Sequence, residues 1–272
     1  MTTPTRARNP FVILACVIGA TAAWGAQWEG YPQLTRGELV ALIEAAPQGE
    51  QPQVNGKNLS DLDLTRVDFR GANLSASVLN GAKLIDARLD GCNLTVSFME
   101  GADLSGATLR DAMLFSTQLA GANLSGADLT GARLIGDMRR ADLSKAKLVR
   151  MNAAADMKNQ SMGLMRANLV NTTAIEADFS NSDFSRTDFS FSDLSRARLV
   201  KTTLYRADFS GVNLGGADLS GADLRSAILI DTDLSGANLS NADFTGATFR
   251  SVRGLDTATT SGARGLPTNA AQ

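Results

Sequence analysis

Residues 119–134 read LAGANLSGADLTGARL, in which Leu119, Leu124, Leu129 and Leu134 stand five apart. Ala122, Ala127 and Ala132 lie two places before the last three of these leucines, and Asn123, Asp128 and Arg133 fill the gap between. Outward from this stretch, every fifth residue from Leu59 to Leu134 is Leu or Phe except Met99. The register resumes at Leu164 and runs to Phe249, failing only at Ala174, so 32 of 34 positions obey and chance is excluded. The unit is A-[D/N]-[L/F]-[S/T]-x.

A period of five fits neither the 3.6-residue helix nor the alternation of a long strand, and Asp, Asn, Gly and Ser disfavour helix interiors. The pattern therefore requires a chain that turns after every five residues. The large residue and the small one two places before it point to the same side, as in a strand, and the other three face outward. Large and small side chains then fill a narrow interior in layers, while Asp and Asn supply turn hydrogen bonds and Gly relieves the corners.

Units such as Ala102-Asp103-Leu104-Ser105-Gly106 and Ala237-Asn238-Leu239-Ser240-Asn241 resemble the pentapeptide-repeat family over residues 54–253. The resemblance implies an all-β solenoid, a right-handed quadrilateral β-helix with four units per coil. About 37 units then make about nine coils, ~45 Å long at a strand spacing of ~4.8 Å.

Outside the array the chain divides into an address, a lead-in and a tail. Arg6 and Arg8 precede the apolar run FVILACVIGATAA at 11–23, with Ala20-Thr21-Ala22 and Ala26 as candidate cleavage edges. Residues 1–26 thus have the layout of a signal peptide or N-terminal anchor, and predict an exported protein, periplasmic or extracellular. Membrane contact follows only if residues 11–26 stay uncleaved as an anchor. In the lead-in, 27–53, Thr35-Arg36-Gly37-Glu38 fits a capping box, and Leu39, Leu42, Ile43 and Ala46 have helical spacing. A short helix near 36–46 is expected to cover the open N-terminal end of the solenoid. Residues 254–272 read as a polar, disordered tail, with partial folding of residues 250–272 over the C-terminal end as the alternative.

The array is interrupted. One residue is missing between Leu134 and Leu143, the next apolar centres being Met138, Leu143 and Leu148, and regularity lapses until Leu164, so residues 135–163 read as irregular. The same region is basic. Residues 133–166 carry eight Lys or Arg against Asp137, Asp142 and Asp156, whereas residues 167–249 hold eleven acids and six bases. Arg139, Arg140, Lys145, Lys147, Arg150, Met151, Met157, Lys158 and Met162 are the candidate partner-binding residues, since loops in repeat arrays carry function and Met makes adaptable contacts. Core packing is the competing role for the methionines.

The chain contains no histidine, which removes His-based triads, bases and metal ligands. Cys92 occupies a small-residue position, and without Cys16 it has no internal disulfide partner. No cofactor is expected. The leading functional expectation is a non-enzymatic, exported module that binds or scaffolds a protein partner, with a homodimer through a terminal coil as a further possibility. The family resemblance implies an alternative, a DNA mimic that binds gyrase and confers quinolone resistance. Against it, removing residues 1–26 takes Arg6 and Arg8 away and moves the net charge only from −2 to −4. Few aromatic residues accompany the basic segment, so direct nucleic-acid binding is not expected.

Overall fold

One unit, Ala102 to Gly106, shows why five residues close a turn, because each of its five N–H groups has a different acceptor. Ala102 N–H turns back to the Met99 carbonyl, and Asp103 N–H reaches Ala82 in the coil before. Leu104 and Gly106 N–H donate to Asn123 and Ser125 in the coil after. The fifth donor, Ser105 N–H, is taken by the Asp103 side chain at 3.0 Å. Asp or Asn before the central Leu is thus the acceptor for the one amide that the ladder leaves over. Where that letter is lost, as at Thr108 and Phe98, the neighbouring coil supplies the acceptor: Arg110 N–H donates to Asp90 Oδ1 and Glu100 N–H to Asn80 Oδ1.

The computed structural model describes Trp28, residues 30–154 and residues 166–267. The sequence-predicted leader, 1–26, lies outside the described residues. The described residues from Tyr31 onward form one compact unit, and within it parallel bridges join one residue in each unit of five to its counterpart a coil away. One column runs Gln53, Asn73, Asn93, Met113, Arg133, Asn152, Asp183, Thr203, Asp223, Asp243 and Arg264. Its ten steps span ~48 Å at ~4.8 Å each. Four such columns, passing through Asn58, Asp63, Asp68 and Asn73, define the first to fourth sides.

Among the described residues four stretches continue long enough to be strands: β1 (Met113–Gln118), β2 (Arg133–Asp137), β3 (Ile228–Ile230) and β4 (Thr248–Arg250). They pair in parallel, β1 with β2 and β3 with β4. Elsewhere each side contributes a single bridged residue before the chain turns. At these turns the second residue after the centre takes a left-handed conformation whether or not it is Gly, as in Arg66 (φ 58°), Val96 (59°) and Phe191 (61°).

The core is continuous along the stack. Among the described residues the central Leu and Phe residues from Leu59 to Phe244 are buried, as are both exceptions to the pattern, Met99 and Ala174, and nearly all the small residues two places earlier, while Phe249 is half-buried. Phe179, Phe184, Phe189 and Phe209 pack ring on ring, with centroids 5.2–6.2 Å apart. Most buried hydroxyls at small positions find a carbonyl inside the stack: Thr117, Thr202 and Thr232 each donate at 2.9 Å to one 23 residues earlier, whereas the Thr187 hydroxyl has no partner among the described residues. Cys92 is buried in the same layer, and desolvation pushes its thiol up to about 12.

The helix α1 (Arg36–Ala45) carries the expected capping box between Thr35 and Glu38 and buries Leu39 and Ile43. Arg36 reaches the first coil, donating to the carbonyls of Asp63 at 2.7 Å and Thr65 at 3.2 Å. Arg70 returns a bond to the Ile43 carbonyl at 3.0 Å.

Two stretches differ from the sequence reading. Residues 137–154, assigned to an irregular interval, continue the ladder: Asp142 bridges Asn123 and Thr173, and Lys147 bridges Asp128 and Asp178. The missing residue falls where β1 and β2 shift register, so that Phe115 pairs with Ile135 and Gln118 with Asp137. Gly136 permits this, since a Cβ there would run into the Thr117 carbonyl oxygen. The compensating spacing comes later: Asn152 pairs with Asp183, 31 residues on, eleven more than the usual twenty.

Residues 254–267 likewise join the stack rather than forming a disordered tail. Thr259 bridges Asn238 and Arg264 bridges Asp243, 21 residues apart because one residue is added after Arg253. Gly254, Thr260 and Gly265 stand where Leu or Phe would be expected, which erases the repeat signal. Gly265 lies so close on Phe244 that a Cβ would meet its backbone. This last turn leaves Leu234, Leu239 and Phe244 fully buried.

Candidate functional site

The ladder places six of the nine sequence-predicted partner residues on a single coil, residues 137–154, and five of the six carry positive charge. Arg139, Arg140, Lys145, Lys147 and Arg150 are all exposed. Arg140, Lys145 and Arg150 occupy three successive corners with φ of 59°, 60° and 54°. Corner geometry directs these side chains away from the coil, so the charges form a belt around it rather than a patch on one plane.

The five are not electrostatically equal. Arg139 is held by Asp137, with Nε at 2.9 Å and Nη2 at 2.6 Å from its carboxylate. The hydrogen bonds and charge of Asp137 raise the Arg139 pKa above its ordinary value. Arg140, Lys145, Lys147 and Arg150 have no ion pair among the described residues, leaving four open positive charges on one coil.

Met151 is placed differently from the surface role considered for it. It takes the inward small-residue position and is 1% exposed, because the chain continues in the shifted register centred on Met138, Leu143, Leu148 and Ala153. Met157, Lys158 and Met162 lie outside the described residues.

Sequence reasoning missed a second surface, on the fourth side two coils before this belt. Thr95, Met113, Phe115 and Arg133 line a cavity of about 230 Å³. Met113 and Phe115 stand at letters usually held by Asp or Asn and by Ser or Thr, so the departures were visible in the sequence. What the period alone did not convey is that they lie side by side across β1 and β2. Among the described residues no group of His, Cys, Asp or Glu is arranged to hold a metal ion, and no helix is long and apolar enough to cross a membrane.

The family model for pentapeptide repeats matches residues 58–95, 99–131, 164–199, 203–241 and 217–253. The chain belongs to the pentapeptide-repeat family. Among solved structures, it is similar to HetL, a pentapeptide repeat protein involved in heterocyst differentiation regulation from the cyanobacterium Nostoc sp. strain PCC 7120. The identity is 28%, covering 83% of this chain and 96% of HetL, with a TM-score of 0.39. It is also similar to QnrB1, a plasmid-mediated fluoroquinolone resistance protein, at 18% identity over 76% of this chain and 88% of QnrB1, TM-score 0.42. A pentapeptide repeat protein from the Arabidopsis thaliana thylakoid lumen matches at 24% identity over 61% of this chain and 71% of its own, TM-score 0.16. No curated protein sequence matches the chain. Family membership rests on the repeat model.

Proposed function

We propose that this chain is a non-enzymatic, exported scaffold that engages a protein partner through the basic coil at residues 137–154. The observation that carries this reading is the set of four exposed cations, Arg140, Lys145, Lys147 and Arg150, that lie on one coil and have no ion pair among the described residues. The leader-like residues 1–26 support export, and the absence of histidine supports a binding role over catalysis. In the same reading the coil winds right-handed as a quadrilateral helix, and α1 caps it: Arg36 supplies donors to carbonyls that have no preceding coil.

A tagged copy in the native host tests the proposal. Substituting Arg139, Arg140 and Arg150 with Ala is expected to lower partner recovery at least tenfold, and undiminished recovery would sink the basic-coil reading. Fractionation with N-terminal sequencing of the mature form tests export, for which an uncleaved cytosolic product is the contrary result. Sedimentation reads self-association through a terminal coil.

The gyrase-binding alternative draws less support. Acids of the C-terminal half occur on all four sides, with Asp188 on the first, Asp193 on the second, Asp178 on the third and Asp183 on the fourth. Several are neutralised, as in Arg166–Asp188 at 2.9 Å and Arg225–Asp223 at 2.7 Å. A DNA mimic needs a continuous negative field. A supercoiling assay with purified protein decides the matter, since inhibition at micromolar concentration would favour mimicry.

A further inference from the structure

Among the described residues the exposed large apolar side chains are Leu42, Val96, Met113 and Phe191, and of these Val96 and Met113 fall together on one stretch of wall. On the fourth side Met113 is 48% exposed, and Val96, at the adjoining corner, is 46% exposed. Phe115 and Thr95 stand beside them in successive coils, and Arg133 follows Met113 in the bridged column. Together they frame an apolar recess of about 230 Å³, large enough for one leucine- or phenylalanine-sized side chain. Val96 also holds a left-handed backbone as a β-branched residue, an unfavourable choice at a corner where Gly or a polar residue is usual. Exposed apolar groups clustered on an otherwise polar wall mark contact surfaces.

The backbone beneath this recess is consumed by the β1–β2 pairing, so an incoming chain cannot add a strand there. It must be held by side chains. The charge beside the recess selects their sign: Arg150, which has no ion pair among the described residues, sits at the corner that leads into the same side one coil further on. An apolar anchor in a recess with a charged rim is the common anatomy of a binding hot spot.

We infer that the recess bounded by Met113, Phe115 and Arg133 receives a protein segment that presents one aromatic or large aliphatic anchor flanked by carboxylates. The inference deepens the scaffold reading and rests on it: the recess supplies the anchor point, and the basic coil beside it supplies long-range attraction.

The probe is a fluorescein-labelled peptide with a central Phe between Asp and Glu residues, measured by anisotropy against the full-length protein. Its controls are the same peptide with Ser for Phe and with Lys for every acid. The Met113→Asn/Phe115→Ser variant restores letters used elsewhere at these positions, and Arg133→Glu reverses the charge at one edge of the recess. The acidic Phe peptide is expected to bind and to weaken at least tenfold with either control peptide or either variant. Equal binding to the double variant, or equal binding of the Lys peptide, overturns the inference. So does a wild-type dimer that the double variant abolishes, because the occupant is then a second copy. Native partner recovery separates the two readings. Partner lost in the Arg139/Arg140/Arg150→Ala variant but kept in both recess variants leaves the scaffold and removes this site, whereas partner kept in all three removes both.

Discussion

Arg36 and Asp63 meet across the first coil, the guanidinium Nη1 donating to the Asp63 main-chain oxygen at 2.7 Å. In the next coil the equivalent oxygen, on Lys83, receives the N–H of Leu64, and that of Ile85 receives the N–H of Arg66. Arg36 therefore donates where two amides of a preceding coil donate elsewhere in the stack, and no such coil is present among the described residues. Arg36→Ala is expected to lower stability by about 1–2 kcal/mol, because both carbonyls are part-exposed and water replaces the lost donors incompletely. Urea unfolding followed by circular dichroism measures it. An unchanged midpoint would mean that the buried Leu39 and Ile43 hold the helix alone.

Corner geometry predicts opposite effects at two nearby sites. Val96→Gly relieves a left-handed β-branched residue (φ 59°) and is expected to stabilise by about 0.5–1 kcal/mol. Gly136→Ala drives a Cβ into the Thr117 backbone at the register shift and is expected to cost about 2 kcal/mol or more. Thermal melts of the two variants should move in opposite directions.

Ending the chain after Arg253 removes the coil that bridges Asn238 and Asp243 and uncovers Leu234, Leu239 and Phe244. The melting temperature is expected to fall by about 5–10 °C, with concentration-dependent light scattering from the new apolar edge. A truncated protein as stable and monodisperse as the full chain would contradict the role given to the last turn.

Acid should weaken the fold through its turn carboxylates. Hydrogen bonds from Thr65, Ser235 and Thr245 hold the carboxyls of Asp63, Asp233 and Asp243 below the usual value of 3.8. With the folded-state pKa depressed, the unfolded chain binds protons more readily. The stabilisation is complete above the unfolded value and lost as pH falls through the folded values, so stability should be level near neutrality and drop below pH about 4. Asp243→Asn, which keeps an acceptor for Thr245 N–H, should reduce this acid sensitivity with little change at pH 7. A melting temperature that stays constant down to pH 3 would refute the assignment.

Much of this was legible in the letters because the core and the turns are encoded within one unit. Leu104 faces inward and Asp103 takes the Ser105 amide for reasons local to five residues. The sides of the solenoid were not legible beyond residue 154. One residue lost before Asp137 and eleven gained after Asn152 give a net change of ten, a multiple of five, so the Leu and Phe rhythm resumes unbroken. Ten is only half of a coil. A strict count of twenty from Arg88 places Asp188 on the third side, whereas bridging puts it on the first, in the column of Phe98, Gln118, Asp137 and Asn168. The last turn was hidden for another reason: Gly254 and Gly265 replace the large residues on which any periodic reading depends. The apolar recess needed the ladder, since Met113 and Phe115 are unremarkable until β2 sets Arg133 beside them.

The distribution of amides in the unit has a consequence for how such a wall can change. Within Ala102 to Gly106 every N–H is committed inside the stack, so the sides expose no open backbone for another chain to extend. Whatever is recognised there must be written in side chains alone, and most of those can be rewritten one at a time while the interior stays as it is. The solenoid is in this sense a blank page of fixed dimensions, on which Met113, Phe115 and the cations of residues 137–154 are the marks that the folding rules did not require.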